Sequence, residues 1–259
     1  MNILAIGASK NIGYYAYDAN CNVTFLLRSP SVFDSDITIQ PYIKSGKAHL
    51  VKGDALVESD VKRAWDEALT HGAVDLLLFT LGGKPTTFSI TKGAGILPIN
   101  LVTQCLLNTL CTMPKQSPQP RIIALSSTAH ASIPLLLKPA YGYLGKIPHT
   151  DKQGAECAIA FCAGWKWEKD GPGDEIMGER WMEREGLPDA GSLKEVLVIK
   201  PGLLTDGDCR ADSKKNAYRV TGVEDGGWTI SRKDVAHFVA DVALNRWNEF
   251  SGKTVNVSY

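Results

Sequence analysis

The sequence predicts an α/β protein built on a doubly wound parallel sheet. Two observations carry that expectation. Short β-rich apolar runs alternate with longer segments of helical periodicity along the whole chain, the pattern of repeated strand–helix–strand units with helices on both sheet faces. The first run also passes directly into a glycine-bearing turn, "IGASKNIG", that opens a helix. A chain of 259 residues suffices for one large domain of this kind, and residues 1–259 are expected to form a single one.

Strands are expected at Ile3–Ile6, Val23–Leu27, Ala48–Val51, Val74–Thr80, Arg121–Ser126, Val196–Lys200 and Thr254–Val257. The first helix must be short, because only nine residues separate Gly13 from Val23. About two turns fit there, with Ile12, Ala16 and Ala19 toward the sheet, and the brevity is expected to weaken cofactor affinity. Val61, Trp65, Ala68 and Leu69 recur at helical spacing behind Ser59 as N-cap. Ile96–Thr112 is the next helix, stopped by "MPKQSPQP". Residues Ala131–Pro148 read as an apolar, aromatic loop rich in Pro and Gly, lying over a pocket. Residues 162–194 are rich in Trp, Glu and Gly and too short and charged to bury a core of their own. They read as an insertion before the sixth strand, over one edge of the sheet, with Trp165, Trp167 and Trp181 either packing or closing a pocket. Val235, Phe238, Val239 and Val242 mark a late helix, with Ser231 and Asp234 as a capping box.

Composition narrows the function classes. Twenty-eight basic residues balance 28 acidic ones, so neither nucleic acid nor a membrane surface is an expected partner. The longest apolar runs are far too short to span a bilayer. Met1–Gly7 is short and lacks a basic cluster, so no secretory signal is expected and a cytoplasmic location is. Six cysteines occur without a C-x-x-C pair, and no metal is expected. Cys105, Cys111, Cys157 and Cys162 read as buried thiols in helices.

The opening turn suits a dinucleotide. Backbone N–H groups of a strand-to-helix turn point at a pyrophosphate, and the helix dipole favours its charge. Gly7 permits the turn, and Gly13 lets the helix pack closely on the sheet. Asn11 is the least costly non-glycine residue where a positive φ is needed, and Lys10 adds a cation. The second strand ends in Arg28 and Ser29, where NAD-binding units place an acid for the ribose 2′-hydroxyl. A guanidinium beside a hydroxyl suits a 2′-phosphate, so NADP is expected in preference to NAD.

Taken in order, these segments resemble the short-chain dehydrogenase/reductase superfamily, in particular its atypical branch of NmrA-like and biliverdin reductase B-like proteins with a Rossmann fold. "GASKNIG" resembles that branch's "GATGxxG", with Ser9 for Thr and Lys10 for the central Gly. "KGDAL" is similar to the turn that sets an aspartate, here Asp54 followed by Ala55, near adenine. "TLGG" (Thr80, Leu81, Gly82, Gly83) stands where the family has its turn against the cofactor, and "KPGLLTDG" supplies the Pro201–Gly202 turn. "ALSSTA" matches the end of strand five and "ISRKDVAHFV" the late helix. The cofactor-binding set implied by turn and resemblance together is Gly7, Ser9, Lys10, Asn11, Ile12, Gly13, Arg28, Ser29, Asp54, Ala55, Thr80, Leu81, Gly82, Lys152, Pro201 and Gly202.

The resemblance puts Ser127 at the family's catalytic serine. The active-site helix pattern Tyr-x-x-x-Lys-x-x-Ala-Glu falls on "PHTDKQGAE", with Lys152, Ala155 and Glu156 in register and Pro148 at the tyrosine. Proline has no proton to give. Lys152 is implied to hydrogen-bond the nicotinamide ribose, or is an ordinary helix lysine. His149 adjoins the vacant position and is either the replacement acid or a histidine near a helix N-terminus. Tyr141 and Tyr143 are donors reaching back, or lid packing. The leading expectation is an NADP-dependent oxidoreductase acting on a planar or apolar small molecule, a quinone, flavin or enone, with the proton drawn from His149 or solvent. The alternative is a dinucleotide-binding redox sensor that signals to a protein partner. A sugar-nucleotide epimerase or dehydratase is disfavoured, since such enzymes depend on the absent tyrosine.

Overall fold

The computed structural model describes residues 1–15, 21–83, 87–89, 93–128, 138–167, 171–222 and 227–259; the side chains of 15, 87–89, 93–95 and 138–146 are not described. Its centre is an eight-stranded sheet. The strands of this sheet are β1 (Asn2–Ile6), β2 (Asn22–Leu27), β3 (Ala48–Lys52), β4 (Leu76–Phe79), β7 (Arg121–Leu125), β8 (Val196–Pro201), β10 (Arg219–Thr221) and β12 (Lys253–Ser258). Their spatial order is β10-β12-β8-β7-β4-β1-β2-β3. All pairings are parallel except β10 with β12. β5 (Thr87–Ser89) and β6 (Gly93–Gly95) form a small antiparallel ribbon, and β9 (Leu203–Thr205) pairs in parallel with β11 (Thr229–Ser231).

Successive side chains of a strand point to opposite faces, and here both faces are covered. Ala5, Phe25, Leu78, Ile123 and Ile199 face α7 (Arg232–Asp241), a π-helical turn (Val242–Arg246) and α8 (Trp247–Phe250), through Val235, Phe238, Val242 and Trp247. Leu4, Leu26, Phe79, Ile122 and Val198 face the other way. There they meet Trp65 of α3 (Glu58–Leu69), Leu106 of α4 (Leu101–Cys111) and Ile159 of α5 (Lys138–Ala163). Two apolar layers enclosing one sheet explain why its strands read as apolar runs without alternation. This is the doubly wound Rossmann architecture the sequence predicts.

All seven expected strands are present. The three-residue strands were not expected, being too short to carry a pattern. α1 (Asn11–Tyr15) is short, as the spacing requires; Ala16 and Ala19 lie outside the described residues. Three helix boundaries differ. Val57 caps α3, and Ser59 falls inside its first turn, where the carboxylates of Glu58 and Asp60 favour the helix end. α4 begins at Leu101, not Ile96, with its first N–H groups taken by Asp151. α5 begins at Lys138, so the C-terminal half of the expected loop Ala131–Pro148 is helical and His149 sits in mid-helix. Pro139 fits the first turn of a helix, where its missing N–H costs nothing; residues 131–137 lie outside the described set. α2 (Gln40–Lys44) and a 3₁₀ turn (Pro30–Phe33) join β2 to β3.

The 162–194 insertion lies against α4 and α5, not over a sheet edge. Its short helix α6 (Asp174–Met177) buries Ile176 and Met177 against Leu107 and Ala158. Gln104 Nε2 donates to the carbonyls of Ile176 (2.9 Å) and Met177 (3.1 Å), and Arg184 donates to Asn108 Oδ1 (2.6 Å). Trp181 packs edge-on against Phe161 with centroids 5.3 Å apart, and Trp165 joins the core under α5. No helix among the described residues is long and apolar enough to cross a membrane.

Candidate active site

In a parallel doubly wound sheet, the crevice opens where the chain reverses its direction of winding, outside the strands' C-terminal ends. Here that point lies between β1, which leads out to β2 and β3, and β4, which leads to β7 and β8. The turn after β1 and the turn after β4 meet there. Gly7 has φ +83°, and a Cβ on it would fall 2.4 Å from the Leu81 backbone. A Cβ on Gly13 would fall 2.4 Å from Thr80 Oγ1. Both glycines are therefore required by close approach between the two turns, not by chain freedom alone. Asn11 has φ +61°, the left-handed conformation expected of it. Ile12 is buried beneath α1, Ser9 is half-buried, and Lys10 and Asn11 are exposed.

The rim continues along the sheet. Arg28 and Ser29 are exposed beyond β2, with Ser29 Oγ 2.8 Å from Ser31 Oγ. Asp54 is half-buried after β3 and accepts the Leu56 N–H at 3.0 Å, while Ala55 is buried and its carbonyl accepts from Asn108 Nδ2. Gly82 is exposed with open space where a Cβ would stand. Pro201 and Gly202 are buried and have structural duties. The Pro201 carbonyl accepts the Thr128 N–H at 3.1 Å, and a Cβ on Gly202 would fall 2.7 Å from the Trp228 carbonyl oxygen.

Beyond the end of β7 lies a polar network that no single motif announces. Lys152 Nζ donates to the Ser126 carbonyl at 2.9 Å. Ser126 Oγ donates to Glu156 Oε1, and Glu156 Oε2 lies 3.5 Å from Lys200 Nζ, both side chains being only 13% exposed. Helical spacing puts Lys152 and Glu156 on one face of α5; the strand ends bring Ser126 and Lys200 to them. Burial pushes the Lys152 ammonium down to about 8, against the opposing pull of Glu156 and Asp151. A lysine so placed exchanges its proton near neutrality.

Asp151, the neighbour of Lys152, is fully buried and serves α4. Its carboxylate accepts the N–H groups of Val102 (2.8 Å) and Thr103 (2.9 Å), while the Thr103 hydroxyl donates to its carbonyl. The cap that α4 lacks in its own sequence thus comes from α5, and it locks the register of the helix that carries Lys152. Burial raises the Asp151 carboxyl, although the bonds from Thr103 and Val102 and the charge of Lys152 act the other way.

Among the expected catalytic residues, Lys152 joins the network and Ser127 stands half-buried next to it, the hydrogen bonds passing through Ser126. His149 is half-buried one turn before Gln153, whose Nε2 is 3.4 Å from His149 Nε2. Pro148 lies inside α5, one turn before Lys152. The side chains of Tyr141 and Tyr143 are outside the described set. Ser126, Glu156 and Lys200 were missed as a unit. The signal was there in Lys200, a lysine interrupting the apolar run "VLVIKP" of a central strand, because a buried ammonium calls for a carboxylate.

No family model matches the sequence. A reductase, pytE, of Aspergillus terreus is 32% identical over an alignment of 149 positions that covers 54% of this chain and 48% of that protein. The chain thus spans about half the length of this curated relative. Among solved structures, a short-chain dehydrogenase of Burkholderia cenocepacia in complex with NADP aligns with a TM-score of 0.61 at 14% identity, over 99% of this chain and 96% of the other. ChuY, an anaerobillin reductase of Escherichia coli, aligns with a TM-score of 0.60 at 15% identity over the same shares. The chain shares its fold with these two structures, as the sequence resemblance leads one to expect.

Proposed function

We propose that this chain is an NADP-dependent oxidoreductase that passes hydride to a planar or apolar acceptor without the superfamily's tyrosine. One observation carries the reading. The Lys152 ammonium is held in a buried network at the same end of the sheet as the turns of Gly7 and Thr80–Gly82. A dinucleotide-reductase fold, a pytE likeness and an NADP-bound neighbour of the same fold support it.

The residues present fit the cofactor. Gly7 and Asn11 hold the positive φ that a tight strand-to-helix turn needs, and Gly82 leaves open space where a side chain would stand. Arg28 and Ser29 are exposed at the end of β2, with a guanidinium and a hydroxyl for a 2′-phosphate. Lys10 is an exposed cation on the pyrophosphate turn. The roles of Ser9, Ile12, Asp54 and Ala55 follow from their places along the same rim.

NADPH, when bound, supplies the hydride. The chain positions and discharges protons. Lys152 has three N–H donors; one goes to Ser126 and the others are available to a ribose hydroxyl or an acceptor oxygen. Glu156 and Lys200 hold Ser126 in place, which fixes where the Lys152 amine stands. Ser127, next in sequence, is offered to an acceptor carbonyl, and His149 is a second proton source on the same helix. With proline at the tyrosine position, the acceptors served best delocalise the charge left by hydride addition, as quinones, flavins and enones do. Purified protein with NADPH and a panel of these acceptors tests the reading. Consumption of NADPH above buffer with at least one acceptor is expected. Binding of NADPH without turnover of any acceptor would replace the enzyme by the sensor.

A further inference from the structure

The far end of the sheet carries a second cluster of chemistry. His49 stands near the start of β3, the edge strand, and Glu67 and His71 stand one turn apart at the C-terminal end of α3. The two imidazole rings are stacked, centroids 3.6 Å apart and planes at 20°. Nε2 of His71 lies 3.5 Å from Glu67 Oε1 and 3.2 Å from Thr70 Oγ1. One donor atom from each of His49, Glu67 and His71 lies within 4.8 Å of the others. All three residues are half-buried.

The orientation of His49 is specific. His49 Nε2 is buried without a hydrogen-bond partner. A buried ring nitrogen without a partner costs free energy.

The geometry points to a zinc-type divalent cation site formed by His49, Glu67 and His71, tying the edge strand to the end of α3. Two imidazoles and one carboxylate suit Zn²⁺ rather than Mg²⁺ or Ca²⁺, which want oxygen donors. Tetrahedral Zn²⁺ sits about 2.0–2.2 Å from such donors and leaves the fourth position to water. To share one ion the His71 ring turns out of its stack on His49, because two near-parallel imidazoles cannot both aim an in-plane lone pair at it, and the 44% exposed Glu67 side chain has room to close on the ion. The cluster lies at the strands' N-terminal ends and Lys152 beyond their C-terminal ends, so the site acts on stability and not on hydride transfer.

The test uses full-length protein freed of metal by EDTA and titrated with ZnCl₂ in a calorimeter. Wild type takes up one Zn²⁺ per chain and melts at a higher temperature with it, as binding to the folded state alone requires. His71→Ala and His49→Ala each weaken the affinity beyond the roughly tenfold to hundredfold that loss of an outer partner costs. His237→Ala, remote on α7, leaves it unchanged. His71 sits in the turn after α3, so its variant keeps the fold, as its melting in EDTA verifies. Wild-type affinity in both cluster variants, or no uptake by wild type, would overturn the proposal.

Discussion

A half-buried lysine and a proline one turn before it define the chemistry available at the residue scale. Lys152 has its proton affinity lowered to about 8 by burial. Its ammonium is therefore largely intact at pH 7 and lost as pH rises through about 8. If that ammonium assists hydride transfer, kcat/KM with NADPH falls above this pH with a single ionisation. Lys152→Arg keeps a charge at all pH values, so its profile is expected to be flat over the same range, at lower overall activity. Lys152→Met is expected to lose about 10²–10⁴-fold, the usual worth of a positioned acid or base. A wild-type profile unchanged from pH 7 to pH 10, or full activity in Lys152→Met, would remove Lys152 from the mechanism. Asn11 and the two glycines were readable from the sequence at this scale, because a φ sign or a missing Cβ is a property of one residue. The Ser126–Glu156–Lys200 contacts were not, since they join three elements.

At the scale of elements, long strands and periodic helices were legible and ends were not. Ser59 was the expected cap of α3, yet Val57 fills the position, because tertiary packing and the acidic first turn set the boundary. α4 is capped by Asp151 from another helix, a partner that no local pattern reveals. The one cap read correctly is Ser231, whose Oγ accepts the Asp234 N–H at 3.0 Å. Even there the reciprocal half of a capping box is replaced: the Ser231 N–H goes to the Tyr259 hydroxyl. Asp234 instead ties the chain's last strand to α7. Burial alone would raise its carboxyl, but hydrogen bonds from Tyr259, Ala211, Arg210 and Ser231 outweigh it and hold the group below its ordinary value. A carboxyl depressed in the fold stabilises above its unfolded value and loses that contribution as pH falls through the folded one. Asp234→Asn is thus expected to lose about 1–3 kcal/mol at pH 7, with the gap to wild type narrowing as pH falls below about 4. Denaturant melts of both proteins across that range check it; a gap that stays constant with pH would refute the charge as its origin.

For the whole molecule, the parallel sheet and both apolar layers follow from the alternation of runs seen in the sequence, and the crevice from the family resemblance, whereas the strand order was not read. The edges were less legible. β10 adds an antiparallel strand of three residues, and the 162–194 insertion settles on α4 and α5 because its apolar side chains need helix surface to cover. Cofactor binding rests on the crevice: Gly7, Thr80–Gly82 and Arg28 stand along one rim, on which an NADP molecule is to be held. Calorimetric titration of NADPH and NADH into wild type and Arg28→Ala addresses this directly. Wild type is expected to prefer NADPH, and Arg28→Ala to lose that preference while still binding NADH. No heat with either dinucleotide, or an undiminished NADPH preference in Arg28→Ala, would contradict it.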